Sequence, residues 1–443
     1  MNKILVTTDH GDWLFLTKDE FLTLHRENIS SGSELFQRLY SAGVIIDENN
    51  IEKIIKKYRK RYWFLFQATS LHIIIPTLRC NLKCDYCHAS SKKINQKRYD
   101  LSRRTAKNIV DFIFQSPSKR IVIEFQGGEP LANFEIVKFV IEYANNLNQG
   151  IGKDLSFALV TNLSLMDRPK MNYLINNKIG ICTSLDGPKE LHNSQRGNTY
   201  DTTVHWINEF NAEYRRRGMK LRLNALPTIT KKSLQFGDRI IKEYTDLGLS
   251  TIHLRTLNPL GCAKKSWSRI GYEAEEFIEY WKKNIDYIIN KFDQSDNEQI
   301  NKIRERMADF ILHKLIDSDP NYFELRSPCG AAIGQLLYNY DGNIFTCDEA
   351  RMLNDDLFKL GNVNNSLYAE IFSPDGVRNI ISASTNDSYP CEICAYKPYC
   401  GICPVCNYSE QCKLNIDINS SSRCKVLKSQ FDYLFQRMLE KNS

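Results

Sequence analysis

Residues 77–90 read TLRCNLKCDYCHAS. They close an apolar run, LHIIIPTL (71–78), and set Cys80, Cys84 and Cys87 in a C-x3-C-x2-C array. An apolar run of this length bounded by a polar loop predicts a buried strand. The thiols therefore fall on a loop at a strand's C-terminal end. Three thiolates there can hold three irons of a [4Fe–4S] cube, whereas electron-transfer clusters normally have four protein ligands. The iron left over is a place to bind and activate a small molecule. A zinc site with His88 as fourth ligand is the competing reading, but zinc sites usually pair C-x2-C steps.

Working outward, the run at 71–78 is the first of six. The others are IVIEFQ (121–126), SFALVT (156–161), GICTSL (180–185), LRLNAL (221–226) and TIHLRTL (251–257). Helical patterns such as LSRRTAKNIVDFIF and FEIVKFVIEYANNL lie between them. Strands alternating with helices predict a parallel sheet with right-handed crossovers. Six units are too few for a closed eight-fold barrel. The expectation is an α/β chain with a partial (β/α)6 barrel over 71–260, or an open doubly wound sheet, with its chemistry at the strand C-termini. Upstream, residues 1–47 form a small β-β-α-α unit: KILVTT and WLFLT flank the turn DHGD. Thr17 and Glu20 then make a capping box, and a second helix stops at Gly43. A charged helical bridge follows at 48–70, and a helical connection spans 261–325. The last segment, 326–443, has little periodicity and nine of the 14 cysteines.

The bulk figures exclude several classes. The chain has 443 residues, 42% hydrophobic and 25% charged, which is ordinary for a soluble multi-domain protein. Net charge is +7, and the basic runs KKYRKRY (56–62) and YRRRG (214–218) read as solvated helix faces, with no nucleic-acid partner expected. The N-terminal residues meet Asp and His too early for a signal peptide, and no apolar run reaches membrane length. A cytoplasmic address follows as the expectation, where stable disulfides are rare and clustered thiols point to metal.

Three further stretches give the first loop its context. FQGGEP (125–130) follows the second strand, TNLS (161–164) the third, and SLDGPKELHNSQR (184–196) the fourth. Together with Cys80, Cys84 and Cys87 they resemble the radical S-adenosylmethionine (SAM) superfamily. That resemblance implies a [4Fe–4S] cluster on the three cysteines and SAM at its open iron. It places Gly127, Gly128, Glu129 and Pro130 by the methionine amino group and Tyr86 against adenine. Asn162, Ser184 and Arg196 fall in the segments that contact ribose and carboxylate.

Residues 391–412, CEICAYKPYCGICPVCNYSEQC, hold six cysteines in 22 residues. With Cys329 and Cys347 before them and Cys424 after, they resemble the SPASM extension of radical SAM peptide maturases, which carries two auxiliary [4Fe–4S] clusters. The family's last C-x3-C step is C-x2-C here, and Cys406 and Cys412 are additional. By carry-over, Cys391, Cys394, Cys400 and Cys424 hold one cluster. Cys329, Cys347 and Cys403 hold the other, with Cys406 or Cys412 as fourth ligand. Cys182 reads as a buried core residue and Cys262 as a loop thiol.

FLFQATSLHIIIPTLRCN, IEFQGGEPLANF and LLYNYDGNIFTCDEARM resemble maturases of His-Xaa-Ser-type peptide systems. The implied substrate is a ribosomally made precursor peptide whose leader is bound by the winged-helix-like unit 1–47. The implied chemistry is hydrogen abstraction by a 5′-deoxyadenosyl radical followed by an oxidative crosslink or cyclisation. An external flavodoxin- or ferredoxin-like one-electron reductant would supply electrons. Asp348, directly after Cys347, resembles the proton acceptor of SPASM sulfatase maturases, with Glu349 and Arg351 as neighbours that could substitute for it or pair with it. A sulfatase-maturase-like oxidation of Ser or Cys is the alternative activity, and a zinc-binding interaction module without catalysis a third reading.

Overall fold

Strand β3 (Leu71–Thr77) is buried along six of its seven residues, as a parallel strand covered on both faces must be. It sits near the middle of an eight-stranded sheet in the computed structural model, which describes residues 3–293, 303–316, 319, 321–353, 355–373 and 375–441. On one side follow β4 (Arg120–Gly127), β5 (Asp154–Thr161), β6 (Gly180–Ser184) and β7 (Asn224–Leu226), all parallel. On the other side β8 (Gln335–Tyr338) runs parallel to β3. The antiparallel β9 (Asn343–Phe345) and β10 (Lys359–Asn362) complete the edge.

The outer face of the sheet is covered by the crossover helices. The helix Arg103–Ile113 starts on an Ser102 N-cap and buries Ala106, Ile109, Val110 and Ile113, a 3–4 spacing that puts one stripe on the sheet. The helix Phe134–Gln149 does the same with Val137, Val140, Ile141 and Ala144. The inner face differs. Ile73 and Ile75 pack on Leu337, Phe345, Cys329 and Cys347, so the cysteine-rich segment closes the barrel's open side. Farther along, Glu124, Gln126, Cys182 and Ser184 point to this inner side and are only half-buried. The lumen is thus lined by polar and small groups instead of packed solid.

Two expectations change. The sixth strand survives only as Thr251–Ile252, and it pairs with Arg304–Glu305 outside the main sheet. Side chains capture the backbone that would have continued it: Leu254 N–H donates to Glu305 and Leu257 N–H to the Tyr272 hydroxyl. The last segment, read as having little periodicity, also supplies three strands, because β8–β10 extend the barrel's own sheet. The expected helical connection contains helices Cys262–Ile270, Ala274–Asp293 and Arg306–Leu315, with 294–302 outside the described residues.

The N-terminal unit has the expected order: β1 (Lys3–Thr7), β2 (Trp13–Thr17), α1 (Lys18–His25) and α2 (Glu34–Ser41). The Thr17–Glu20 capping box is formed, and Gly43 takes a left-handed φ of 67°. The unit is bonded to the cysteine-rich region. Thr7 donates to Ala395 O at 2.8 Å, the Tyr399 hydroxyl donates to Gly11 O at 3.0 Å, and Trp13 meets Phe435 edge-on with ring centres 5.3 Å apart.

Candidate active site

The glycines of FQGGEP are required by packing against the cysteine loop's own stem. A Cβ at Gly128 would lie 2.3 Å from Arg79 O and 2.4 Å from Leu78 O; one at Gly127, whose φ is +139°, would lie 2.4 Å from Thr77 O. Without them the two strand ends close. Gly128 N–H donates to Thr77 O at 2.9 Å and Glu129 N–H to Arg79 O at 2.7 Å. Arg79 is locked in turn by a two-point pair with Asp100, at 2.6 and 2.8 Å. The next residue is Cys80.

Glu129 is 1% exposed, and its carboxylate accepts from Thr161 Oγ1 at 2.6 Å, Asn162 N–H at 2.8 Å and Leu131 N–H at 3.0 Å. Burial pushes its carboxyl up against those bonds. The side chain thus ties β4 to β5, and it reaches the cavity already engaged rather than as a bare acceptor for an ammonium. Pro130 opens the short turn behind it and is buried.

These strand ends enclose a cavity of about 250 Å³. Cys80, Cys84, Cys87, Tyr86, Gly127, Gly128, Glu129, Asn162, Ser184 and Arg196 all line it, so ten residues singled out in the sequence meet at one place. All fourteen cysteines are free thiols. Burial pushes the Cys80 thiol up to about 12 and that of Cys84 up to about 11. A soft thiolate-binding metal centre that displaces those protons fits this donor set. Cys80 Sγ also accepts from Leu82 N–H at 3.3 Å and faces Asn162 Nδ2 at 3.8 Å, the kind of donors that tune a cluster.

Asp186 was missed in the sequence, although SLDGP contains it. It is fully buried, and it organises Tyr86 and Arg196. Tyr86 Oη donates to Asp186 Oδ2 at 2.5 Å, Arg196 Nε to the same oxygen at 2.9 Å, and Thr228 N–H to Oδ1 at 2.9 Å. The Arg196 guanidinium lies 5.0 Å from the Tyr86 ring centre. Burial opposes ionisation of Asp186, but Arg196 holds its carboxyl below the usual range. Cys262 is also not a loose thiol: it starts a helix and donates its N–H to Cys87 O at 2.9 Å.

A second group of side chains faces the lumen. Burial, then the neighbouring Glu349, pushes the Asp348 carboxyl well above its usual range. Glu349 goes the other way: burial would raise it, yet Arg255 and the bond to Asp348 hold it down to about 2. Arg255 Nη2 reaches Glu349 at 2.5 Å and Glu324 at 2.8 Å. Arg351 makes no ion pair with Asp348; its Nη1 lies 3.5 Å from Ala89 O, on the first cysteine loop. The next residue, Met352, lines the cavity of Cys80. Glu124, likewise missed, makes no ion pair among the described residues; Gln126 Nε2 donates to it at 2.6 Å. Cys182 lies on β6, where burial pushes its thiol up to about 12.

The remaining thiols fall into two sets. Cys391, Cys394, Cys400 and Cys424 line one cavity, together with Cys403. Cys329 and Cys347 are buried in one apolar cluster with Cys403 at its edge. Cys403 caps the helix Pro404–Gln411, and Cys406, 6% exposed, holds the Cys403 thiol below its ordinary range by hydrogen bonding. Cys412 departs from expectation. It is exposed, with φ of 55° at the far end of that helix, and so stands apart from the buried thiols. Cys406 is the better-placed fourth member.

Residues 74–240 match the model of the Radical SAM superfamily. The barrel is a radical SAM domain, and the chain is an enzyme. A cysteine-type anaerobic sulfatase-maturating enzyme of Clostridium perfringens is 27% identical over 340 residues, covering 72% of this chain and 84% of that one. The radical SAM cyclopropyl synthase TigE of Paramaledivibacter caminithermalis is 23% identical over 177 residues, 36% of this chain and 37% of its own. Native anSMEcpe with bound AdoMet and the Cp18Cys peptide superposes with a TM-score of 0.69 at 23% identity, over 84% of this chain and 98% of that one. Streptococcus suis SuiB bound to the precursor peptide SuiA gives 0.57 at 17%, over 90% and 85%. Among the described residues no helix is long and apolar enough to cross a membrane.

Asp186→Asn leaves the Arg196 charge buried without its partner, which costs about 3–5 kcal/mol. Asp186 is a depressed carboxylate, so its contribution is present above the unfolded value of about 3.9 and fades as pH falls through the lower folded value. The variant is expected to melt lower at pH 7 and to lose less on acidification than the wild type. Thermal melts between pH 7 and pH 2 check both.

Proposed function

We propose that this enzyme matures a ribosomally made precursor peptide by hydrogen abstraction followed by an oxidative crosslink or cyclisation. The observation that carries the reading is the lumen: half-buried, polar, and closed by a cysteine-rich segment that sets the Asp348–Glu349 pair into it. With SAM and a [4Fe–4S] cluster on Cys80, Cys84 and Cys87, the site would supply a 5′-deoxyadenosyl radical for that abstraction. Tyr86, Asn162, Ser184 and Arg196 would orient SAM, and the strand-end clamp would keep water out. Cys391, Cys394, Cys400 and Cys424 would hold one auxiliary cluster, and Cys329, Cys347, Cys403 and Cys406 the other. A flavodoxin- or ferredoxin-like protein would supply the electron.

The carboxyl pair fits a proton relay. Burial and the neighbouring Glu349 raise the Asp348 carboxyl, and Arg255, 2.5 Å from Glu349, steadies that second carboxylate. A proton leaving the substrate would be taken up at this carboxyl pair.

Leader binding is assigned to the N-terminal unit. Between β2, α2 and Leu315 lies an open groove of about 530 Å³, lined also by Asp12, Trp13, Gln37, Arg38 and Ser41. An extended peptide can add there as a strand. Curated relatives that mature sulfatases favour the second reading, oxidation of Ser or Cys in a protein substrate. Incubating the reconstituted enzyme with SAM and dithionite distinguishes them: a short peptide encoded beside the gene loses two hydrogens under the first reading, and a Cys- or Ser-containing sulfatase peptide is oxidised under the second.

Three outcomes are expected. The variant with Ala at 80, 84 and 87 stops cleaving SAM yet keeps its auxiliary iron, because the two cysteine regions occupy separate sites; retained cleavage refutes the assignment. Asp348→Asn keeps 5′-deoxyadenosine formation within about twofold while modified peptide falls at least tenfold, a loss of the order general-base removal brings. If both fall together, Asp348 is not the acceptor. Ser41→Trp fills the groove and weakens binding of the precursor at least tenfold in fluorescence anisotropy, with SAM cleavage in the absence of peptide unchanged. Unchanged affinity assigns the unit to bracing alone.

A further inference from the structure

Arg423 precedes Cys424 and stands between the two auxiliary thiol sets. It lines the cavity shared by Cys391, Cys394, Cys400, Cys403 and Cys424. It also lines the groove that reaches Cys406 on the other side. Its Nη1 lies 3.3 Å from Glu324 Oε2, and Nη2 donates to Glu324 O at 3.0 Å. Its Nε–H is buried and has no acceptor among the described residues.

The Arg423 charge is countered only from the Glu324 side, through the two Nη atoms, while Nε faces away unpaired among the described residues. A guanidinium does not lose its proton in a protein. Glu324 is divided between Arg423 and Arg255, and Arg255 is shared again with Glu349. An iron–sulfur group gains one negative charge on reduction, and net charge and hydrogen bonds to its sulfurs set its potential. A buried cation between two such groups favours the reduced state of both.

We propose that Arg423 is a positioning residue of the auxiliary sites: its fixed charge and free Nε–H raise the reduction potentials of the groups held by both thiol sets, so that each can take up an electron released by the substrate. The inference rests on the auxiliary-cluster reading above. A purely structural role, pinning the C-terminal helix Ser422–Lys441 to Glu324, predicts no effect on potential.

The test uses full-length, reconstituted enzyme without substrate. Iron is counted, and a dithionite titration is followed by electron paramagnetic resonance, each cluster taking one electron from dithionite. Arg423→Gln keeps a donor and removes the charge. Both auxiliary midpoints are expected to move to more negative potential, with Arg423→Lys in between. Glu324→Gln, which removes the counter-charge, is expected to move them the opposite way. The signal that disappears in the variant with Ala at 80, 84 and 87 serves as the fixed reference. If Arg423→Gln sheds auxiliary iron, the opposite shifts of Arg423→Lys and Glu324→Gln decide. Unmoved midpoints at full iron content overturn the inference. A wild type holding only about four irons per chain, one cluster's worth, overturns the auxiliary reading itself and this inference with it.

Discussion

The contact on which the catalytic end of the barrel depends is a backbone clamp. Gly128 and Glu129 donate their N–H groups to Thr77 O and Arg79 O, and only glycine lets the chains come that close. A side chain at 128 would sit 2.3 Å from a carbonyl oxygen, well inside contact distance. The clamp fixes where the cysteine loop leaves β3. Through the buried Glu129 carboxylate it also fixes where β5 ends, because Thr161 and Asn162 donate to that group. Three strand ends are thereby held as one rigid rim, and the donors that converge on the cavity inherit its geometry.

Below the rim the molecule is joined by charge as well as by apolar packing. Arg255, Glu324, Glu349 and Arg423 form a chain of ion pairs from the barrel to the C-terminal thiols. Ion pairs removed from water gain little stability overall, yet removing one partner strands the other at a cost of several kcal/mol. Such a network specifies arrangement more than it adds stability. Here it holds the Asp348–Glu349 pair at the lumen, where burial and Glu349 raise the Asp348 carboxyl while Arg255 holds Glu349 down.

The sequence carried the fold well where local rules apply. The apolar runs, the Thr17 capping box and the glycine at 43 all predict what is observed, because each is decided within a few residues. The motif residues around Cys80 also meet, since each follows a strand and strand ends converge. What escaped depends on pairing across long separations. Arg423 and Glu324 are 99 residues apart, and Tyr86 and Asp186 are 100 apart. No periodicity links such residues. The sixth strand failed for a related reason: its apolar pattern is sound, but Glu305 and Tyr272 claim the backbone donors that a sheet would need. The polar Glu124 and Gln126 inside an apolar strand were a readable sign of an unfilled lumen.

The separation between the Cys80 cavity and the C-terminal thiols is set by one strand pair. β3 leads into Cys80, and its neighbour β8 lies between Cys329 and Cys347 in the chain. Their parallel register runs from Leu71 opposite Gln335 to Ile74 opposite Tyr338. A slip of one residue would turn Ile73 and Leu337 from the inner face to the outer and move buried His72 inward, so the hydrophobic pattern forbids it. His72 reinforces the register from the outer face, where its Nδ1 lies 3.0 Å from the Tyr338 hydroxyl. Had the cysteine-rich segment been a tethered module, its distance to the cavity would depend on a linker. Built into the sheet, it is held by ladder hydrogen bonds at the ordinary strand spacing of about 4.8 Å, and Met352 and Arg351 reach the first cysteine loop as a direct consequence.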